Sequence, residues 1–216
     1  MLRSQGVRLL DPVASEAFPK TDAERDAAQR LSALFMKHGS DKSDAHDYHN
    51  VYGPILTRGG LFKRLFEVGL GTNNVDVVSN MGHAGRPGAS LRAFRDYLPE
   101  ALVYGADIDR RVLFSEERVE TFYVDQHNLS SFDTIDAAIS GSIDLIIDDG
   151  LHSPGANIAV LSFAVRKLSP GGWVVIEDIA EAALPFWRVV AELLPGWSPT
   201  LVRARGGYLF VATRPA

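Results

Sequence analysis

The sequence predicts an α/β fold in which a mostly parallel sheet ends in an antiparallel hairpin. Short β-branched segments recur along the chain, each followed by a polar or glycine-rich turn and then by a stretch of helix length. Near the C-terminus, two apolar segments flank Gly206-Gly207, which is the signal of a hairpin. Strands that alternate with helices are parallel, so their carboxyl ends meet at one edge of the sheet, where ligands bind.

Composition limits the possible classes of protein. The 216 residues are enough for one domain with a complete core, and 22 basic against 27 acidic residues give a net charge of −5. Because there is no basic block, we expect no nucleic-acid partner, and because there is no long apolar run or leader segment, we expect a cytoplasmic protein without a membrane partner. The absence of cysteine excludes disulfides and thiolate metal sites, so any metal must be bound by oxygen or imidazole.

The N-terminal region is predicted to be an arm followed by two helices. Residues 1–20 show little periodicity, which indicates an extended or loosely docked arm. A capping box over residues 21–24 begins the first helix, and Gly39 ends it. A polar loop over residues 40–49 then leads into a second, shorter helix.

The polar loop between these helices carries several groups that can bind a ligand. Lys42, His46 and Tyr48 are assigned to a lid over the site, with a solvated connector as the alternative. We therefore expect residues 1–58 to form the arm and a helical lid, and residues 59–216 to form the main domain.

The first three strands of the main domain each end in groups suited to a nucleoside ligand. Residues 65–74 form a strand and a glycine turn, where a ligand can approach the backbone closely because the glycines have no Cβ. The next helix, with Ser90 as its predicted N-cap, offers free N–H groups. Asp107 ends the second strand, where a carboxylate can accept from both hydroxyls of a ribose. Asp125 and Gln126 end the third strand.

The fourth and fifth strands deliver a cluster of acids to the same edge. Asp148 and Asp149 follow the fourth strand, His152 comes three residues later, and Glu177 and Asp178 follow the fifth. Carboxylates gathered in this way repel one another unless a cation is present, and oxygen ligands suit Mg²⁺. A neutral imidazole beside them can act as a general base.

A purely structural role for this cluster is the alternative. Asp148 or Asp149 would then cap the helix that begins near Ser153, and His152 would be a surface residue. The sequence does not fix which of the two aspartates faces the metal, because strand register decides it. The spacing to His152 favours Asp149.

The order of these motifs resembles the class I S-adenosylmethionine-dependent methyltransferases over about residues 60–216. The resemblance implies a Rossmann-like, seven-stranded, mostly parallel sheet and S-adenosylmethionine as the cofactor. One departure is Asn73, which stands where the family has a third glycine. The cofactor contacts that the resemblance implies are Glu67, Gly69, Gly71, Ser90, Asp107, Asp125, Gln126 and Asp148.

Further motifs carry a narrower resemblance. They are Asp149-Gly150-Leu151-His152, Glu177-Asp178, His38-Gly39-Ser40-Asp41-Lys42 with His46 and Tyr48, and Pro87-Gly88-Ala89-Ser90-Leu91-Arg92. Together they resemble the magnesium-dependent sugar O-methyltransferases of macrolide and other natural-product pathways, and the related cephalosporin-hydroxylase-like group. The resemblance implies Asp149, Glu177 and Asp178 as ligands of Mg²⁺ and His152, beside Asp149, as the catalytic base. It also implies a small-molecule glycosylated substrate and a homo-oligomer.

Three alternatives stay open at this point. Catechol-type O-methyltransferases place Asp-Asn after the fifth strand, where this chain has Glu177-Asp178. A dinucleotide-binding protein would have a third glycine in the turn and an acid about 20 residues later, whereas the acid here comes about 40 residues later. A non-catalytic scaffold with a methyltransferase-like fold is the third alternative.

Overall fold

A computed structural model describes residues 10–216, which form one continuous sheet with helices on both faces. Within these residues the strands are β1 Val13–Ala14, β2 Arg64–Val68, β3 Leu102–Asp107, β4 Ser115–Glu116, β5 Val119–Tyr123, β6 Ile143–Asp148, β7 Leu168–Ile179, β8 Ser198–Ala204 and β9 Gly207–Thr213. The helices are α1 Asp22–His38, α2 His49–Arg58, α3 Ala89–Tyr97, α4 Ser130–Ala138, α5 Pro154–Lys167 and α6 Leu184–Glu192.

The strand order is β1-β8-β9-β7-β6-β2-β3-β5-β4. The central strands β5, β3, β2, β6 and β7 are parallel, and β9 and β8 form the predicted antiparallel hairpin beside β7. The predicted seven-stranded sheet is therefore confirmed, and β1 and β4 add two residues each at its edges. Because the chain leaves β2 toward one side of the sheet and later returns to pair β6 on its other side, the edge after β2 is a topological switch point.

Alternate residues of the central strands enter two hydrophobic cores. In β6, Ile146 packs in the core beneath α4, α5 and α6, whereas Leu145 and Ile147 pack in the core beneath α1, α2 and α3. This alternation is expected of strands covered on both faces. Within residues 10–216, none of the helices is both long enough and apolar enough to cross a membrane.

The first N-terminal helix has the predicted caps, and both N-terminal helices join the core of the sheet. Thr21 accepts a hydrogen bond from the Glu24 N–H at the start of α1, and Gly39 ends the helix at φ 78°. Phe35 of α1 and Tyr52 of α2 pack edge-on against each other within the core beneath α1, α2 and α3. The two helices therefore cover one face of the sheet, and their role as a lid stays a prediction.

The described part of the predicted arm docks on its own chain. β1 pairs in parallel with β8, and Arg188 Nε of α6 donates to the Leu10 carbonyl at 3.2 Å. Residues 10–20 are thus fixed rather than loosely docked, while residues 1–9 of the arm lie outside the described residues. The homo-oligomer stays a prediction.

The start of α3 differs from the sequence prediction. Gly88, at φ 71°, is the N-cap, and Ser90 lies inside the helix without capping it. The Ser90 hydroxyl instead donates to Glu67 Oε2 at 2.8 Å. A glycine takes the cap position here because the backbone is left-handed there, which serine disfavours.

The glycine turn after β2 is packed against the loop that follows β6. Gly69 has φ 94°, and a Cβ on it would lie 2.0 Å from the Asp149 carbonyl oxygen. The Asp149 N–H donates to the Val68 carbonyl at 2.8 Å. This close approach fixes Asp149 beside the glycine turn, and only a residue without a Cβ allows it.

We predict that Gly69→Ala lowers the free energy of unfolding by more than ~3 kcal/mol, because the methyl group would have to displace the Asp149 backbone. Gly60→Ala is the matched control: Gly60 also has a positive φ, of 72°, but no atom of residues 10–216 lies within 4 Å of the position that a Cβ would take there. The control should cost about 1 kcal/mol, from backbone strain alone. Urea unfolding of the three proteins measures the difference, and equal losses in both variants would contradict the close approach.

Candidate active site

A cleft of about 1450 Å³ lies at the carboxyl ends of the parallel strands. It is larger than the roughly 300–1,000 Å³ typical of a small-molecule site, so it has room for more than one ligand. Of the residues selected from the sequence, those that line it are Lys42, His46, Tyr48, Gly69, Gly71, Ser90, Asp107, Asp125, Gln126, Asp149, His152, Glu177 and Asp178. Glu67 and Asp148 lie beneath its wall, with no exposed surface.

A bulge in β7 brings its two acids to the cleft. Consecutive side chains of a regular strand point to opposite faces, but the pairing of β7 with β9 shifts between Ile176 and Ile179. Asp178 lies within this irregularity in a left-handed conformation, at φ 54°, which is uncommon for a residue other than glycine. Glu177 and Asp178 can therefore both reach the edge of the sheet.

Asp149, His152 and Asp178 form a compact cluster that faces the cleft. His152 Nε2 is 3.4 Å from Asp149 Oδ1 and 3.3 Å from Asp178 Oδ2. One ligand atom from each of the three lies within 4.8 Å of the others, a spacing that fits one metal ion. The Tyr48 hydroxyl donates to Asp178 Oδ1 and so fixes that carboxylate from the lid side.

The carboxylates control the protonation of His152. Burial by itself favours the neutral imidazole, but the hydrogen bond to Asp149 and the charges of Asp149 and Asp178 outweigh it, so the pKa of His152 is raised above 6.5. Asp149 responds in the opposite direction: although burial opposes its charge, Lys42 and His152 hold the pKa of its carboxyl well below the usual range.

The ammonium of Lys42 lies behind this cluster and is the largest difference from the sequence-based prediction. Its Nζ donates to Asp149 Oδ2 at 2.6 Å and to Glu177 Oε2, and it lies 3.2 Å from Glu67 Oε1. Only 2% of the Lys42 side chain is exposed. Burial disfavours the charged ammonium, yet the three acids raise its pKa, so it remains a cation.

Glu177 is held more deeply than Asp149 and Asp178. One of its carboxylate oxygens accepts from Lys42 and the other from the Tyr52 hydroxyl. Burial raises the pKa of Glu177 well above its usual value, against the effect of Lys42, and raises that of Glu67 to about 7. Glu177 thus borders the cleft, but in this arrangement its oxygens are directed toward the protein.

Asp149, and not Asp148, faces the cleft. Asp148 accepts from Gln126 Nε2 and from Asn157 Nδ2, both at 2.9 Å, and burial raises its pKa to about 7. The Gln126 Oε1 in turn accepts from the Leu151 N–H at 2.7 Å. The polar groups of Asp148 and Gln126 therefore brace the loop after β6 rather than extending into the cleft.

The other end of the cleft carries Asp107 and Asp125, the acids that the sequence analysis predicts to contact a nucleoside. Asp107 accepts from the Leu70 N–H and from the Asp109 N–H, each at 2.8 Å, and borders the cleft. Asp109 accepts from the Arg111 N–H, and it also accepts from the Thr72 hydroxyl. Asp125 Oδ1 accepts from the His127 N–H at 3.0 Å.

Asn73, which stands in place of the third glycine, fixes the loop between β2 and α3. Asn73 Nδ2 donates to the carbonyls of Gly82 at 2.6 Å and Gly85 at 2.8 Å, which fixes the long loop between β2 and α3. Met81 of this loop packs onto Gly71, where a Cβ would lie 2.3 Å from its sulfur. Asn73 thus holds the loop across the glycine turn.

The comparisons with known proteins agree with this fold. Residues 81–179 match the family model described as a methyltransferase domain. The chain is 33% identical over 162 residues to the 8-demethyl-8-alpha-L-rhamnosyl tetracenomycin-C 2'-O-methyltransferase of Streptomyces olivaceus, covering 73% of this chain and 40% of the relative. It is 31% identical over 122 residues to the mycinamicin VI 2''-O-methyltransferase of Micromonospora griseorubida, covering 56% of this chain and 28% of that relative.

Solved structures give the same fold. MycE methyltransferase from the mycinamycin biosynthetic pathway, in complex with Mg and SAH, superposes with a TM-score of 0.69 at 23% identity, over 86% of this chain and 55% of that one. A MycE complex with Mg, SAH and mycinamycin VI gives a TM-score of 0.60 at 27% identity, over 73% of this chain and 39% of that one. The chain therefore spans about half the length, or less, of these two curated relatives and of MycE.

The fold and the matched domain confirm the predicted resemblance to the class I S-adenosylmethionine-dependent methyltransferases. Within that class, the chain is similar in particular to sugar O-methyltransferases that act in macrolide and tetracenomycin pathways.

We predict that Asp178→Asn lowers the pKa of His152 in protein freed of divalent cations, because one of the charges that raise it is removed. Asparagine tolerates the left-handed backbone at this position, so the loop should keep its shape. The folded-state pKa is raised, so protonated His152 stabilises the fold at low pH and this contribution is lost as pH rises through that pKa.

Proton NMR of the His152 ring across the pH range measures the change. Asp41→Asn is the control, because the exposed Asp41 lies 3.8 Å from His46 and not beside His152. An unchanged His152 titration in Asp178→Asn would show that Asp178 does not act on this imidazole.

Proposed function

We propose that the protein is an S-adenosylmethionine-dependent and Mg²⁺-dependent O-methyltransferase that acts on a sugar hydroxyl of a glycosylated natural product. The observation that carries this proposal is the meeting of Asp149, His152 and Asp178 beside the glycine turn of a methyltransferase fold. The named activities of the relatives, which methylate sugar hydroxyls of tetracenomycin and mycinamicin compounds, support the same substrate class.

S-adenosylmethionine fits the end of the cleft between the glycine turn and Asp107. Gly69 and Gly71 border the cleft, with the Asp149 backbone and Met81 packed at the positions that a Cβ on each would take. Asp107 is held by two backbone N–H groups, and each of its oxygens keeps a lone pair for a ribose hydroxyl. Asp125 borders the region expected for the adenine.

The acid cluster fits a hard divalent cation. When ionised, Glu67, Asp149, Glu177 and Asp178 carry more negative charge than the Lys42 ammonium neutralises, and carboxylate oxygens are ligands suited to Mg²⁺. Asp149, Glu177 and Asp178 are the proposed ligands. When bound, the cation would lower the pKa of a substrate hydroxyl and orient it.

His152 is the proposed general base. Its Nε2 faces two carboxylate oxygens, so this nitrogen carries the proton and Nδ1 is the free acceptor. The side chain is 40% exposed, which lets a substrate hydroxyl reach it from the cleft. Asp149 and Asp178 orient the ring, and the rigid strand ends position the hydroxyl for attack in line with the sulfonium methyl group.

The cleft also has an apolar side that suits the non-sugar part of such a substrate. Met36, Val78 and Met81 line it, and Val78 is 90% exposed. Sugar hydroxyls would lie at the carboxylates, with the aglycone against these side chains.

We predict that the purified protein binds S-adenosylhomocysteine and, separately, Mg²⁺ in calorimetric titrations. Asp149→Asn should lose the Mg²⁺ signal while it keeps nucleoside binding, because Asp149 lies on the metal side of the cleft. Nucleoside binding without any Mg²⁺ response in the wild-type protein would rule out the metal-dependent reaction. A panel of glycosides and catechols with labelled cofactor then separates the sugar-type reaction from the catechol-type one.

We predict that His152→Ala lowers turnover of a methylated glycoside by about two to four powers of ten, the usual contribution of a general base. Affinity for S-adenosylhomocysteine should be nearly unchanged, because His152 does not belong to the nucleoside end. His127→Ala is the control, since this histidine borders the nucleoside end of the cleft. Equal loss of cofactor affinity and turnover in His152→Ala would instead assign His152 to cofactor binding.

A further inference from the structure

The side chain of Lys42 enters the protein from the loop between α1 and α2 and ends among three carboxylates. An ammonium has three N–H donors, and Lys42 Nζ lies against Asp149 Oδ2, Glu177 Oε2 and Glu67 Oε1. The Glu67 and Glu177 side chains have no exposed surface. Water therefore contributes little to screening their charges.

These three carboxylates come from neighbouring strands. Glu67 belongs to β2, Asp149 follows β6 and Glu177 belongs to β7, and these strands are adjacent in the sheet. Buried like charges at this distance repel one another, and removing the partner of a buried charge is strongly destabilising. The Lys42 ammonium therefore offsets a repulsion that the sheet itself creates.

Lys42 occupies the inner side of the cluster and leaves the outer side free. It contacts Asp149 through Oδ2, whereas Asp149 Oδ1 faces His152 and, beyond it, Asp178. A cation on the cleft side would thus share Asp149 with Lys42 while approaching it from another direction. Both cations would neutralise the charge of Asp149.

We propose that Lys42 is a built-in cation that keeps the carboxylate site assembled before a divalent cation binds. It acts as a positioning residue: it holds one oxygen of Asp149 inward, so that the other is presented to the cleft. The part of this proposal that concerns metal binding rests on the proposed function.

The test compares thermal unfolding of the wild type and of Lys42→Met, first with EDTA and then with saturating Mg²⁺. Methionine is an unbranched side chain only one atom shorter than lysine, and it removes the charge. In EDTA the variant should melt about 10 °C lower than the wild type, because buried carboxylates lose their partner. Mg²⁺ should then raise the melting temperature of the variant more than that of the wild type, because the metal replaces the lost charge.

Lys63→Met is the matched control, because Lys63 is exposed and should show neither effect. If the Lys42→Met variant and the wild type had the same melting temperature in EDTA, the proposal would be overturned. So would an Mg²⁺-induced rise that is equal to or smaller than that of the wild type, since a purely structural ion pair would give that result.

The double variant Lys42→Met/Glu177→Gln keeps the proposal testable if Lys42→Met does not fold. Removing a carboxylate charge together with the ammonium should restore stability in EDTA relative to the single variant. No recovery in the double variant would contradict the proposal. If the wild type itself fails to respond to Mg²⁺, the proposed metal-dependent reaction is wrong, while the comparison in EDTA still decides the role of Lys42.

Discussion

The contact that the candidate site depends on is the one between the buried ammonium of Lys42 and the carboxylates of Asp149 and Glu177. These acids lie at the ends of adjacent parallel strands because a methyltransferase-type sheet delivers its polar residues to one edge. That geometry concentrates negative charge in a region with little water. A cation from another part of the chain is the simplest way to keep the charges together, and the loop after α1 provides it.

Two backbone irregularities allow the acids to converge. Gly69 lets the turn after β2 approach the Asp149 backbone to a distance that no side chain would permit. The bulge in β7 turns Asp178 toward His152, at the cost of a left-handed backbone at an aspartate. Strain of this kind persists only where the surrounding contacts fix it, and the Tyr48 hydroxyl bonded to Asp178 is such a contact. Rigid acids at a fixed separation suit a site that must orient a substrate hydroxyl.

The sheet could be predicted from the sequence because its signals are local. Hydrophobic segments, the glycine turn and the Gly206-Gly207 hairpin each lie within a few residues of the structure that they specify. The partners of Glu177 could not be predicted in this way. Lys42 is 135 positions away from Glu177 in the sequence and Tyr52 is 125. No local sequence pattern links either residue to β7. The same holds for Ser90, whose hydroxyl reaches back to Glu67 instead of capping its own helix.

These long-range contacts change the meaning of the predicted boundary between residues 58 and 59. Lys42, Tyr48 and Tyr52 all come from the N-terminal side of that boundary, and all three donate to acids that follow β6 or belong to β7. Without Lys42 and Tyr52, the buried carboxyl group of Glu177 would lose both of these hydrogen-bond donors, which would strongly disfavour folding. The N-terminal helices therefore complete the charge balance of the site as well as covering it. Moving these helices away from the sheet would therefore remove hydrogen-bond donors from the acids of the site.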